Sequence, residues 1–323
     1  MAAAAGRLPD LRTLNHRLRV ALDDEGVVVL DRRPDVYATS SPTEVLACRL
    51  TDQEEVRLFC KYDLGTRDGS HGHRLGVAYE AEVYRELLVA TGVSTPRFYG
   101  AWTDTTGKEA FLVIEYLDGA HRLDQSHDSS RSMVRAATWL AEFQRLVARR
   151  GLELPRSSAR RLGRDYYLGW SRRAAEYASR SGLHAAELEL VRAGFERSLD
   201  LLTGGDLVPV HGELYPDNVL VHRERIRPID WESAAVAVGE IDLASLVEGW
   251  GPDVSDACCA AYAGVRWPDG PPPDFTSRLD MARAYLHFRW IADGSSAPDR
   301  IRSAWRARQL RSIGARLGFL PVS

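Results

Sequence analysis

The chain has 323 residues, of which 45% are apolar, and a formal charge of −3. Such a chain can bury a sizeable core, which excludes a mostly disordered protein and suits two packed lobes or one large domain. The charge supplies no basic field for nucleic acid, and no stretch approaches the roughly 18 apolar residues that cross a bilayer. Met1 to Arg12 has no long apolar core, so no signal peptide is expected. The four cysteines, Cys48, Cys60, Cys258 and Cys259, form no C-x-x-C pair, so the expectation is a reducing, cytoplasmic location without a disulfide framework or zinc site.

The first third reads as mostly strand. Val27 to Leu30 is a short β-branched run, and Glu44 to Leu50 and Val56 to Tyr62 flank a polar turn as a hairpin. Val77 to Ala90 has helical spacing and stops at Thr91-Gly92. Phe98 to Trp102 and Ala110 to Tyr116 form a second hairpin, and Leu117-Asp118-Gly119 reads as a hinge. Helices are then predicted over 133–147, 166–178 and 185–202. Extended pieces follow at 207–210, 218–221 and 226–229, and further helices near 242–248, 254–265, 275–291 and 298–317. A small β-rich lobe followed by a larger helical lobe is an α+β arrangement. The division expected is an N-terminal extension over 1–24, an N-lobe over 25–117 and a helical C-lobe over 118–323.

The chemistry concentrates in His211-Gly212-Glu213-Leu214-Tyr215-Pro216-Asp217-Asn218, followed twelve residues later by Asp230-Trp231-Glu232. Phosphoryl transfer needs metal ions to neutralise phosphate charge and a carboxylate to orient the acceptor hydroxyl. The protein-kinase template is H-x-D-x-x-x-x-N followed by a metal-binding Asp. Glu213 and Asn218 hold the carboxylate and amide positions of that spacing, and Asp230 ends a short strand, where its carboxylate can face Mg²⁺. The composition adds a hint: Lys61 and Lys108 are the only lysines, against forty arginines. A lysine kept in so arginine-rich a chain suits a task that needs a compact ammonium.

These segments, with Glu240-Ile241-Asp242-Leu243-Ala244, resemble the aminoglycoside phosphotransferase and choline-kinase-like family over roughly residues 25 to 317. The resemblance implies a protein-kinase-like two-lobe fold, with ATP and Mg²⁺ as cofactors. It implies that Lys61 contacts the α/β-phosphates, that Glu80 (or Glu82) pairs with it, and that Asn218 and Asp230 hold Mg²⁺. Glu115, Tyr116 and Leu117 correspond to the hinge whose backbone binds adenine. Ser40 and Ser41 lie in the expected phosphate loop, which here has no glycine. Asp242 is expected to hydrogen-bond the catalytic loop, His211 to organise it, and Trp231 to pack. The family's catalytic Asp is Glu213 in this chain, one methylene longer with a similar reference pKa.

The acceptor implied is a hydroxyl on a small molecule (antibiotic, sugar or other natural product) or on Ser/Thr of a peptide in natural-product biosynthesis. The arginine-rich composition suggests a high-GC bacterium. A rival reading is a nucleotide-binding pseudokinase scaffold for a partner protein, motivated by Glu213 and the glycine-free loop. From Arg278 to Ser323, nine arginines face three aspartates; this is either a solvated basic face or a site for an anionic or protein partner, and it disfavours a polycationic acceptor.

Overall fold

The computed structural model describes residues 8–35, 41–64, 73–155, 160–181, 186–293 and 300–321. In chain order these form α1 (Leu11–Leu22), β1 (Val28–Pro34), β2 (Thr43–Arg49), β3 (Glu55–Leu64) and α2 (Val77–Glu82). α2 runs through a π-helical turn (Val83–Leu88) into α3 (Val89–Thr91), followed by β4 (Phe98–Thr103), β5 (Glu109–Glu115) and β6 (His121–Arg122). Then come α4 (Ser129–Arg150), α5 (Arg164–Ser181), α6 (Ala186–Arg197), α7 (Asp200–Thr203) and β7 (Leu207–Val210). β8 (Val219–His222), β9 (Arg225–Pro228), β10 (Ala235–Val238), α8 (Glu240–Leu246), α9 (Pro252–Arg266), α10 (Phe275–Ala292) and α11 (Arg300–Arg316) complete the chain. The class is α+β, as the sequence suggested. The helix expected over 185–202 is instead two helices, with a break at Ser198-Leu199.

Two compact units result. The first comprises Met1–Arg122, Leu154–Ser158 and Asn218–Ser233; the second comprises Leu123–Glu153, Ala159–Asp217 and Ala234–Ser323. Residues 218–233, which the sequence reading counted with the C-lobe, thus group with the first unit.

The first unit is built on an antiparallel sheet in the order β1-β2-β3-β5-β4. Alternation sends Leu46, Cys48, Leu58, Cys60, Tyr62, Phe111 and Val113 into one core. The stretch expected as an N-terminal extension supplies part of that core. Asp10 caps α1 by accepting the Thr13 N–H at 2.7 Å, and Leu14 and Leu18, one turn apart, are wholly buried against the sheet. Arg17 pins the helix from the same side, pairing with Glu109 and stacking 4.3 Å from the Trp102 ring centre. The approach is close enough to demand glycine: a Cβ on Gly100 would lie 1.7 Å from the Ala21 carbonyl oxygen. With Leu14 and Leu18 in the same core as the strands, α1 belongs to the fold.

The second unit is helical around α10. This helix buries residues on all sides, including Met281, Ala284, Tyr285, Phe288 and Ile291. A helix apolar all round belongs in a core, so a charged residue within it must be paired. The short pair β7–β10 is antiparallel, with Val210 opposite Ala235 and Leu207 opposite Val238, and β10 leads directly into α8. Among the described residues no helix is long and apolar enough to cross a membrane.

Replacing Gly100 by Ala is expected to cost about 1–3 kcal/mol, because the methyl group overpacks against backbone that cannot yield. Gly163→Ala, where a Cβ meets nothing within 4 Å, should show no loss in the same urea titration.

Candidate active site

In the first unit, the open end of a hairpin brings two of the predicted residues together. β8 and β9 pair antiparallel with Val219 opposite Pro228 and His222 opposite Arg225. Arg223 and Glu224 close the turn, both with positive φ, the geometry that matches strand twist in a two-residue loop. At the other end the Ile229 N–H donates to the Asn218 carbonyl at 2.9 Å. Asn218 and Asp230 therefore flank the same hairpin mouth.

Asp230 adopts a left-handed backbone, φ 67°, a region that aspartate tolerates better than most residues. The turn sends its carboxylate to Lys61, with Oδ1 2.5 Å from Nζ, while the next N–H, that of Trp231, donates to Glu80 at 3.0 Å. Lys61 also donates to Glu80 at 2.8 Å and lies 3.6 Å from Glu232. Glu80, rather than Glu82, is the helix glutamate that reaches the lysine. Lys61 is 7% exposed, Glu80 1% and Glu232 3%. Burial pulls the Lys61 ammonium down, but Asp230, Glu80 and Glu232 outweigh it and hold the proton well above the ordinary lysine range. Burial raises Glu80 against the opposing pull of Lys61. Burial also pushes Glu232 up to about 7, with Lys61 opposing the rise and Asp230 and Glu80 adding to it.

The other cofactor-binding candidates divide. Thr43 faces Lys61 in the β2–β3 register, so Ser41, two residues earlier, precedes the strand that runs beside the lysine. Ser40 lies outside the described residues. At the predicted hinge, Glu115 donates its N–H to Arg97 at 2.8 Å and Tyr116 donates to Arg57 at 3.1 Å. Two of the three hinge N–H groups are thus engaged by the protein itself; among the described residues the Leu117 N–H has no such partner. Its carbonyl accepts from Ala120 at 3.1 Å.

The second unit holds the predicted catalytic loop. Asp242, at the start of α8, is fully buried and accepts the His211 N–H at 2.7 Å and the Gly212 N–H at 2.9 Å. His211 Nδ1 in turn accepts the Glu213 N–H at 3.3 Å. Burial raises Asp242 to about 7, and the two N–H donors oppose that rise. Glu213 does not point into solvent. It is 3% exposed, and its Oε1 accepts from Arg289 of α10 at 2.9 Å; Arg289 is 1% exposed. Arg289 also donates to the Tyr215 hydroxyl, as does the Trp290 indole N–H at 2.8 Å.

Glu232, Tyr215 and Arg289 join these clusters although the sequence alone assigns them no role. Arg289 is one of nine arginines that read either as a solvated basic face or as a site for an anionic or protein partner. Its signal was the company it keeps in Ala284-Tyr285-Leu286-His287-Phe288-Arg289-Trp290-Ile291, an almost unbroken apolar run. The C-terminal arginines are in fact largely compensated within the chain. Arg278 pairs with Asp274, Arg283 and Arg316 with Asp280, Arg289 with Glu213, Arg306 with Glu248 and Arg311 with Glu187.

The donors suit magnesium and a nucleotide. Mg²⁺ is commonly held by one or two carboxylates plus substrate phosphates, retaining waters, so a protein need not build a full cage. Among the described residues no group of three or more His, Cys, Asp or Glu side chains is arranged around a metal position. Asn218 and Asp230 offer hard oxygens, and the carboxylates around Lys61 outnumber its charge. Glu232 Oε1 is buried without a hydrogen bond. That excess of negative charge fits a cation arriving with a phosphate chain.

The sequence model of the phosphotransferase enzyme family matches residues 49–272. The chain belongs to this family. No curated protein matches it by sequence. Among solved structures, choline kinase LicA from Streptococcus pneumoniae is 18% identical with a TM-score of 0.59, covering 88% of this chain and 94% of its own. A choline/ethanolamine kinase family protein from Mesorhizobium loti is also 18% identical, with a TM-score of 0.59, covering 91% and 90%. The GDP complex of wild-type aminoglycoside 2'-phosphotransferase-IIIa is 13% identical with a TM-score of 0.61, covering 95% and 99%. At these identities the likeness establishes the fold, the kinase-like one of choline kinases and aminoglycoside phosphotransferases. The family resemblance read from the motifs is confirmed.

The buried Asp242 sets a pH dependence. Its folded pKa, about 7, lies above the ordinary 3.8, so its ionisation costs stability progressively as pH rises between those values. From pH 5 to pH 8 the wild type should lose stability that Asp242→Asn does not, read by urea unfolding at both pH values. Lys61→Met should lower stability by on the order of 3–5 kcal/mol at neutral pH, since it leaves buried carboxylates without their cation. Urea unfolding of the two chains at pH 7 checks this.

Proposed function

We propose that the chain is an ATP- and Mg²⁺-dependent phosphotransferase that moves the γ-phosphoryl group to an alcohol. The observation that carries this is the lysine bridged to a helix glutamate and to an aspartate at the mouth of the Asn218–Asp230 hairpin. Family membership and the kinase-like fold support it. Lys61, oriented by Glu80, binds the α- and β-phosphates. Asn218 and Asp230 hold Mg²⁺, which when bound neutralises charge on the β- and γ-phosphates. Leu117 offers its N–H to the adenine. In the second unit Glu213, fixed on a loop anchored by Asp242, accepts a hydrogen bond from the acceptor hydroxyl and orients it. The oxygen of that hydroxyl bonds to phosphorus, the bond to the β–γ bridging oxygen breaks, ADP leaves, and the hydroxyl proton passes late to the Glu213 carboxylate.

The acceptor class favoured is a small molecule carrying a hydroxyl, such as an antibiotic, a sugar or another natural product, with a peptide Ser or Thr as the other candidate. Related structures include a complex of gentamicin with an aminoglycoside phosphotransferase and a choline kinase, both with cationic acceptors by name. Here Arg289 already compensates the carboxylate of Glu213, which argues against selection of a polycation by that group. The cytoplasm of a high-GC bacterium is the setting that fits the composition. The C-terminal arginines, largely paired within the chain, add no support for an anionic or protein partner there.

One observation favours a second reading, a nucleotide-binding scaffold without transfer: the catalytic-position carboxylate is tied up in a buried ion pair. Mg²⁺-dependent phosphate release from ATP, without any acceptor, separates the two. The wild type is expected to show slow release that falls at least a hundredfold in Asp230→Asn. Nucleotide binding with release equal in both chains would favour the scaffold.

A further inference from the structure

Glu213 and Arg289 are 76 residues apart in sequence and meet as an ion pair inside the second unit, almost wholly buried. Either charge left alone there would be costly, so their geometry is mutually determined. The guanidinium does more than neutralise. Nη1 donates to Glu213 Oε1 at 2.9 Å, and Nη2 donates to the Tyr215 hydroxyl. One rigid plane therefore grips two side chains of the catalytic loop, two residues apart. Trp290 Nε1 supplies a second donor to the Tyr215 oxygen at 2.8 Å. With both lone pairs engaged, the Tyr215 proton is left to donate away from α10.

The loop is thus held in two ways. Asp242 fixes its backbone at His211 and Gly212, and Arg289 fixes its side chains at 213 and 215. A glutamate has one more rotatable bond than an aspartate, and without a restraint its carboxylate samples several positions. Arg289 removes that freedom. Burial works against the charge on Arg289, but Tyr215 and Glu213 outweigh it and hold its proton well above the ordinary arginine range. Trp290, beside it, is covered by Arg306 of α11, whose charge Glu248 balances.

We propose that Arg289 is the positioning residue of this catalytic loop, holding Glu213 so that a glutamate serves where the family pattern has aspartate. This rests on the phosphotransferase reading above. Arg289 acts through Glu213, not on the nucleotide, and Glu213 and Arg289 work as one unit.

The test uses the full chain and acceptor-free phosphate release from Mg²⁺-ATP, with water standing in for the acceptor. Arg289→Gln is expected to lower kcat tenfold or more with the KM for ATP within twofold, and Arg289→Lys to recover part of the loss. Arg283→Gln, elsewhere on α10, should behave as wild type. Glu213→Asp should lose activity, and the double variant Glu213→Asp/Arg289→Gln should lose no more than the worse single variant. If Arg289→Gln fails to fold, as thermal unfolding would reveal, Arg289→Lys alone and combined with Glu213→Asp makes the same comparison. A KM that rises as kcat falls, or losses that multiply in the double variant, would overturn the proposal. Release abolished by Asp230→Asn but intact in Arg289→Gln sinks the positioning role alone. No release from wild type removes the phosphotransferase reading and this proposal with it.

Discussion

A single buried ammonium organises the nucleotide half of this protein. Lys61 stands among Glu80, Asp230 and Glu232, which come from α2 and from the segment after β9. Taking four charges out of water costs several kcal/mol per ion, and mutual attraction offsets this only when partners are close and hydrogen-bonded. The surrounding backbone meets that condition. The left-handed turn at Asp230 presents one carboxylate, and the Trp231 N–H supports another. Even so, three carboxylates meet one ammonium, with the Arg74 guanidinium 3.4 Å from Glu232 as the further positive charge, and burial raises Glu232 to about 7.

The catalytic loop in the second unit is stabilised by different means. Asp242 has no cation beside it and relies on two backbone N–H groups, which only partly offset its burial. Glu213 is matched by an arginine. One carboxylate thus shapes the main chain, and the other, itself buried, is held in place by α10. Pairing across the sequence recurs in α11, where Arg306, Arg311 and Arg316 reach Glu248, Glu187 and Asp280.

Much of this was legible from sequence because the functional groups sit close together along the chain. The candidates Glu213, Asn218 and Asp230 fall within eighteen residues, so they can be read together against the kinase template, and the scarcity of lysine draws attention to Lys61. What escaped depends on long-range pairing. Arg289 reads as one arginine among nine until the fold shows it inside a core helix. α1 escaped because only Leu14 and Leu18 mark its buried face among charged neighbours, and their partners lie in strands far along the chain. The hinge was placed by its strand, but which of its N–H groups remain available is decided by β3 and by Arg97, which no local pattern reveals.

The Glu213–Arg289 pair also constrains descent. Glutamate and aspartate differ by a single codon change, and so the family's usual carboxylate is always one mutation away. Taking that step shortens the reach to α10 and strands a cation in a dry interior, while changing the arginine first strands the anion. Neither intermediate is an easy ancestor or an easy descendant. Lineages carrying this loop should therefore keep both residues or have exchanged both, and the pair would travel through evolution as a linked character although 75 residues separate its members.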